Sequence, residues 1–323
     1  MNILVTGSEG SLAQIVIPRL LEAGHTVTGV DNLSRWGKER RAHDYELVRG
    51  DLSDTATVQR LFAGKRFDAV YHFAAIIYGV VGFHKRPADI IADNNLATIN
   101  LLKYGRESIG RFIYLSSSMV YESCRTWPHR EEDTEETPVM KTSYGLSKYI
   151  GERVVQSFHE QYGTEYVIWR PFNIITPFET AEEEGFSHVF SDMISKILDQ
   201  RQNPVDVLGD GEQIRCYTNI YDVAGAIADN SLDDRARNEI FNIGNPEPVT
   251  VKELISRIVA TAKRLGILEE GCHVNLRHLP VYSDDVRKRI PAIEKIGRTF
   301  GWQPKTLLDE SLDLCLKTKL GKS

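Results

Sequence analysis

Apolar positions in the first half of the chain follow two alternating rhythms. Short apolar runs at Ile3 to Val5, Thr26 to Val30, Tyr45 to Val48, Ala69 to Phe73, Phe112 to Leu115 and Tyr166 to Trp169 read as strands. Between most of them apolar residues recur at helical spacing, as in Leu12, Ile15, Val16 and Leu20 ahead of Gly24, and through Ala88 to Glu107 and Ser143 to Tyr162. Strands separated by helices predict an α/β chain built on a parallel sheet covered on both faces. After Pro171 the rhythm loosens, and Thr176 to Gly185, rich in Pro, Thr and Glu, marks the start of a second unit. The charge run Arg130 to Glu136 is expected to be a solvated loop.

Composition narrows the class without naming the chemistry. The chain has 323 residues, 41% hydrophobic and 26% charged, with a net charge of −6. That is too apolar for a disordered chain and too acidic for the basic footprint of a nucleic-acid binder. Ala74 to Phe83, the longest apolar stretch, falls short of the ~18 residues of a membrane span. Ile3 to Val5 runs straight into Thr6-Gly7, which leaves no room for a signal peptide. Cys124, Cys216, Cys272 and Cys315 are scattered, without a CxxC pair, and suit reduced thiols rather than a disulfide or metal framework. A cytoplasmic, soluble protein without a metal site is expected.

Two local patterns carry chemistry. Thr6-Gly7-Ser8-Glu9-Gly10-Ser11-Leu12-Ala13 follows a strand and opens a helix. Glycines there permit a tight turn and close approach to a pyrophosphate, and the helix N-terminus offers it N–H groups. Asp31 ends the second strand, where a carboxylate accepts the ribose hydroxyls of a dinucleotide and repels a 2′-phosphate; this favours NAD over NADP, with Arg35 and Arg40 nearby as a counterweight. Asp51 could face the adenine or serve as a turn or cap before Thr55. Tyr144 and Lys148 lie four apart on one helix face, where an ammonium is expected to lower the phenol pKa and make the pair a general base. Ser116, Ser117 and Ser118 leave the Phe112–Leu115 strand at the edge that forms the ligand crevice of an open parallel sheet.

In this order and spacing, the motifs resemble the extended short-chain dehydrogenase/reductases, in their nucleotide-sugar epimerase/dehydratase branch, over nearly the whole chain. The resemblance implies a Rossmann-type doubly wound sheet over 1–173, rejoined by 214–235, and a smaller α/β substrate unit over 174–213 and 236–323. It implies NAD contacts at Gly7, Gly10, Ser11, Leu12, Asp31, Asn32, Ser34, Asp51, Leu52, Phe73, Ala74, Ala75, Asn95 and Pro171, with Ser117, Tyr144 and Lys148 catalytic. Ser117, Ser118, Asn173, His188, Val189, Arg215 and Arg289 match positions that line the sugar nucleotide, the two arginines reaching its phosphates. It further implies a homodimer paired through the two long helices as a four-helix bundle.

The same comparison of motifs sorts the reactions. A 4,6-dehydratase of the branch carries Asp-Glu where this chain has Ser118-Met119, and reductase–epimerases carry a cysteine at the Met119 position. A 4-epimerase of a UDP-sugar needs only Ser117, Tyr144, Lys148 and NAD. The tail Arg289-Ile290-Pro291 resembles that of UDP-glucuronate decarboxylases, which keeps decarboxylation as the alternative beside other reductase or dehydratase chemistry. A non-catalytic NAD(P) sensor fits poorly with the Tyr–Lys pair, and a small-ketone dehydrogenase with Asn173 and Arg215.

Overall fold

A computed structural model describes residues 1–39, 42–77, 80–135, 140–179, 188–282 and 285–321. Seven strands form the central sheet: β1 (Asn2–Thr6), β2 (Thr26–Asp31), β3 (Glu46–Arg49), β4 (Phe67–His72), β5 (Ile109–Leu115), β6 (Glu165–Pro171) and β7 (Glu239–Ile243). Their spatial order is β7-β6-β5-β4-β1-β2-β3, and every neighbouring pair is parallel. The order reverses between β1 and β4, which opens the crevice at the carboxyl ends of those strands.

Helix α1 (Ala13–Glu22) and helix α4 (Ile220–Asn230) cover one face with Val16, Ile17, Val223 and Ile227. Helix α2 (Pro87–Gly105) and helix α3 (Ser143–Tyr162) cover the other, where Leu101, Leu102 and Val155 meet Phe112, Tyr114 and Ile168. Thr142 caps α3 by accepting from the Gly145 N–H, and Gly163 at φ 74° ends it, so its bounds are those the apolar spacing predicts. A separate core holds the second unit, with Phe190, Met193, Val205, Val207, Leu254, Ile258 and Leu312.

The sheet claims more of the chain than the sequence division allowed. Residues 236–323 were expected in the second unit, yet β7 pairs with β6 from Glu239↔Val167 to Ile243↔Pro171. Phe241 and Ile243 of that strand are fully buried on the α1 face, and Ile296, Phe300 and Trp302 pack on the same core. The charge run also departs from the solvated loop expected of it. Glu131–Thr134 forms a 3-10 turn against β7, where the Glu131 carboxylate accepts from the Asn242 N–H at 2.8 Å. Glu136, at the end of that run, lies outside the described residues, as do Arg40 and most of the segment after Glu179.

Candidate active site

The glycine loop is built for close approach. Gly7 has φ 66°, and a Cβ there would come within 2.8 Å of the Ala74 nitrogen, so the loop lies directly on the Phe73-Ala74 exit of β4. Leu12 stands at the N-cap of α1 and supplies no side-chain acceptor, with Gly10 and Ser11 just before it. Such a helix start suits an anion. The Asp31 carboxylate accepts from the Glu9 N–H at 3.0 Å and the Leu33 N–H at 2.7 Å, and burial holds its carboxyl above the usual range. Asn32 donates to Asp51 at 2.9 Å and accepts from the Ser34 N–H at 3.0 Å, tying the loops after β2 and β3 together. Asp51 holds Ser53 in a turn, whereas Asp54 caps the helix Thr55–Phe62; Leu52 is buried and its carbonyl accepts from Asn100. These residues line one rim of the crevice, and Ala75 continues it beyond β4. Together they fit a dinucleotide.

Of the two adjacent asparagines, the structure builds Asn94 into the crevice. Its side chain accepts from the Ile76 N–H at 2.7 Å and donates to the Ile76 carbonyl and to Ser147, fixing the segment after β4 against α3. Asn95, the residue singled out by sequence, donates back to Ile91 in its own helix, and its buried Oδ1 has no partner among the described residues. The adjacent Asn-Asn gives no local signal as to which one turns toward the sheet.

The three residues expected to be catalytic converge. Ser117 caps the 3-10 turn Ser118–Tyr121 by accepting from the Met119 N–H at 3.2 Å and lies near the Tyr144 phenol, and Lys148 donates to the Leu115 carbonyl at 2.8 Å. Tyr144 is stacked on Phe83 at 5.2 Å, and Ile90, Met119 and Val286 close the pocket around it. The expected depression of the phenol pKa is absent. Burial pushes the Tyr144 phenol up to about 12, and burial pulls the Lys148 ammonium down to about 8. The reason is distance and desolvation: the ammonium lies 6.0 Å from the Tyr144 ring centre, and both groups are removed from water.

Behind the trio lies a buried polar network that sequence reading missed. The Ser116 hydroxyl and the Arg170 guanidinium both bond Glu152, one helical turn beyond Lys148. Arg170 also donates to the Tyr121 hydroxyl and the Glu131 carbonyl, and Tyr121 in turn donates to Asn242. Glu122 joins the start of α3 from outside, its carboxylate accepting from both the nitrogen and the hydroxyl of Thr142 at 2.7 Å.

The second unit brings cations to the same crevice. Pro171 ends β6, and Asn173, at φ 31°, donates to the Cys216 carbonyl at 3.1 Å. Arg215 lies 3.5 Å from Asp285, while Arg289 reaches back to the turn after Ser117, its Nη1 3.3 Å from the Ser118 hydroxyl. Among the described residues Arg289 forms no ion pair and its buried Nε has no partner, and burial and then Arg215 pull it down to about 9. The buried Tyr217 hydroxyl beside these arginines likewise has no partner among the described residues. A partly buried guanidinium without an ion-pair partner among the described residues suits an anionic ligand. His188 stands apart from this cluster: it bonds Glu179 at 2.8 Å, ahead of Val189, which opens a short helix packed on the second core. Among the described residues no group of His, Cys, Asp and Glu could hold a metal ion, and no helix is long and apolar enough to cross a membrane.

Comparison with known proteins agrees with this geometry. The sequence model of the NAD dependent epimerase/dehydratase family matches residues 3–244. A putative UDP-glucose 4-epimerase of Methanocaldococcus jannaschii is 31% identical over 313 residues, covering 96% of this chain and 95% of that protein. UDP-glucuronic acid decarboxylase 2 of Arabidopsis thaliana is 27% identical over 98% of this chain and 68% of its own length. The solved structure of the Thermus thermophilus UDP-glucose 4-epimerase in complex with NAD superposes with a TM-score of 0.85 at 25% identity, covering 100% of both chains.

Proposed function

This chain belongs to the NAD-dependent epimerase/dehydratase family, whose cofactor is NAD, and we propose that within it the chain is a 4-epimerase of a nucleoside-diphosphate sugar, UDP-linked by analogy with the M. jannaschii and T. thermophilus proteins. The observation that supports this is the economy of groups around the Ser117–Tyr144 pair. Ser118 is bonded by Arg289, the next residue is Met119, and the Glu122 carboxylate is committed to Thr142. Among the described residues that leaves Tyr144 as the proton-transferring group beside Ser117, which is what exchange of configuration at C4 needs.

The Gly7 to Leu12 loop, Asp31, Asn32, Ser34, Asp51 and the Phe73 to Ala75 exit would hold NAD, which supplies reversible acceptance of the C4 hydrogen. Ser117 would orient the 4-hydroxyl, and Tyr144, as its phenolate, would take the proton as the carbon becomes a ketone; the positive charges of bound NAD and of Lys148 would bring the phenol down from the value of about 12 that burial alone gives it. Turning the 4-keto sugar over and returning the same hydrogen and proton gives the epimer. Lys148 holds the catalytic helix to the end of β5 through Leu115 and adds a positive charge beside the phenol. Asn173, Arg215 and Arg289 would bind the anionic part of the substrate. Incubation with UDP-, GDP- and dTDP-sugars without added cofactor, followed by proton NMR, tests the reading: an interconverting pair of C4 epimers supports it, and a 4-keto-6-deoxy product sinks it.

A second reading has one specific observation in its favour. Arg289 lies at the catalytic turn rather than away from it, a place where it could hold the carboxylate of a uronic acid, and a relative is a UDP-glucuronic acid decarboxylase. Release of carbon dioxide from UDP-glucuronate would replace the epimerase reading with that one.

The same reading carries a cytoplasmic location and a homodimer. Ile99, Tyr149, Ile150, Val154 and Phe158 line a shallow apolar groove between α2 and α3, with Leu96 44% exposed beside it. Pairing of these two helices with those of a second copy would bury that groove.

A further inference from the structure

Ser117 and Tyr144 reach the crevice on different elements. Ser117 stands at the head of the 3-10 turn after β5, and Tyr144 lies in the first turn of α3. They can act on one hydroxyl only if turn and helix keep a fixed separation. Glu122 joins the two. It is the C-cap of the turn whose N-cap is Ser117, and its N–H donates to the Met119 carbonyl at 3.1 Å. Its side chain then crosses to α3, where Oε1 accepts from the Thr142 N–H and Oε2 from the Thr142 hydroxyl, both at 2.7 Å. Thr142 is the N-cap of α3, and the same hydroxyl accepts from the Gly145 N–H at 3.0 Å. Tyr144 stands between the two residues bonded in this way. The contact is also close in space: a Cβ at Gly145 would come within 2.9 Å of the Met119 carbonyl oxygen and 3.0 Å of the Glu122 Cδ. Both groups that Glu122 faces are donors, which suits a carboxylate with two acceptor oxygens better than an amide with one.

We propose that Glu122 is a positioning residue for the reacting pair: by clamping the N-cap of α3 to the turn headed by Ser117, it sets the separation of the Ser117 hydroxyl and the Tyr144 phenol. The inference rests on the reading of Ser117 and Tyr144 as the pair that acts on the sugar hydroxyl. Glu122 acts through Thr142 and transfers no proton itself, since both of its oxygens accept from that residue. A misplacement of about 1 Å in such a pair costs about 10²-fold in rate. The groups read as binding the sugar nucleotide and the dinucleotide, Asn173, Arg215 and the Gly7 to Leu12 loop, lie on other segments. Loosening the clamp therefore lowers kcat and leaves binding in place.

The test is a split between kcat and KM. Wild type, Glu122→Ala and Glu122→Gln are assayed on the member of the UDP-, GDP- and dTDP-sugar panel that the wild type converts. Turnover is counted per NADH-binding site, so that protein lost to unfolding does not enter. The expected result for Glu122→Ala is a fall in kcat of about 10- to 100-fold, with KM and NADH affinity changed by less than about threefold. Glu122→Gln keeps one acceptor and is expected to turn over between Glu122→Ala and the wild type. A merely structural role would reduce the number of NADH-binding sites and leave kcat per site as it was, and that result overturns the inference. So does a loss that falls on KM or on NADH affinity instead of kcat. A double-mutant cycle gives a second measurement. Glu122→Ala combined with Thr142→Val should lose less than the product of the two single effects, because both variants open one joint, and multiplicative losses overturn the inference. A wild type that converts no member of the panel overturns the proposed function together with it, which distinguishes the two failures.

Discussion

Arg289 and Ser118 meet at 3.3 Å across 171 positions of sequence, which brings a half-buried arginine from the end of the second unit to the turn that carries Ser117. Arg289→Met is expected to leave the melting temperature of the free protein unchanged or raised, because it removes a buried charge without a described ion-pair partner. Affinity for a sugar nucleotide should fall by about 30-fold or more, the scale of a lost buried charge contact. Calorimetric melting and ligand titration read the two effects separately. A loss much larger for UDP-glucuronate than for UDP-glucose would favour the uronic-acid reading.

Tyr144→Phe removes one hydroxyl from a ring whose packing on Phe83 is unchanged. Turnover is expected to fall by about 10²- to 10⁴-fold, with NADH binding and the melting temperature close to wild type. Unchanged turnover in a steady-state assay would remove Tyr144 from the mechanism.

Lys148 gives a pH-dependent stability with a definite sign. Its folded pKa is depressed to about 8 from 10.5, so burial of the ammonium destabilises the folded state below pH 8. Between pH 8 and 10.5 the unfolded chain binds more protons, and that penalty is relieved as pH rises. In denaturant unfolding, the stability of the wild type relative to Lys148→Met should therefore increase from pH 7 to pH 10. A difference that is constant or moves the other way contradicts a desolvated ammonium.

Arg170 and Glu152 form an ion pair at 2.6 Å with both side chains at most 2% exposed. Arg170→Leu leaves the Glu152 charge buried and unpaired and is expected to cost about 3–5 kcal/mol in urea unfolding. Because Glu152 also holds Ser116, beside Ser117, turnover should fall in whatever protein remains folded.

The parts of this molecule legible in sequence are the local ones. The glycine loop, the Asp31 position and the bounds of α3 each depend on residues within a few positions of one another. The rest depends on distant partners. β7 shows itself as a sheet strand only beside β6, because Glu-Ile-Phe-Asn-Ile fits a strand of either unit. The buried role of Glu131 is set by Asn242, and the choice of Asn94 over Asn95 by Ile76 and Ser147. The Tyr144 phenol was misjudged because charge spacing is visible in sequence and desolvation is not. Arg289 carries no local signal of its contact with Ser118.

The proposed dimer can be tested at Val154, in the groove between α2 and α3. Val154→Arg should shift the sedimentation coefficient from dimer to monomer; a wild type that already sediments as a monomer contradicts this interface.

The central claim is that the hydrogen of C4 leaves and returns without exchange. Turnover of the interconverting UDP-sugar in deuterium oxide, followed by proton NMR and mass spectrometry, tests it most directly. The account predicts C4 epimers with no deuterium on any carbon. Deuterium at C5, loss of C6 as carbon dioxide, or conversion without inversion at C4 would contradict it.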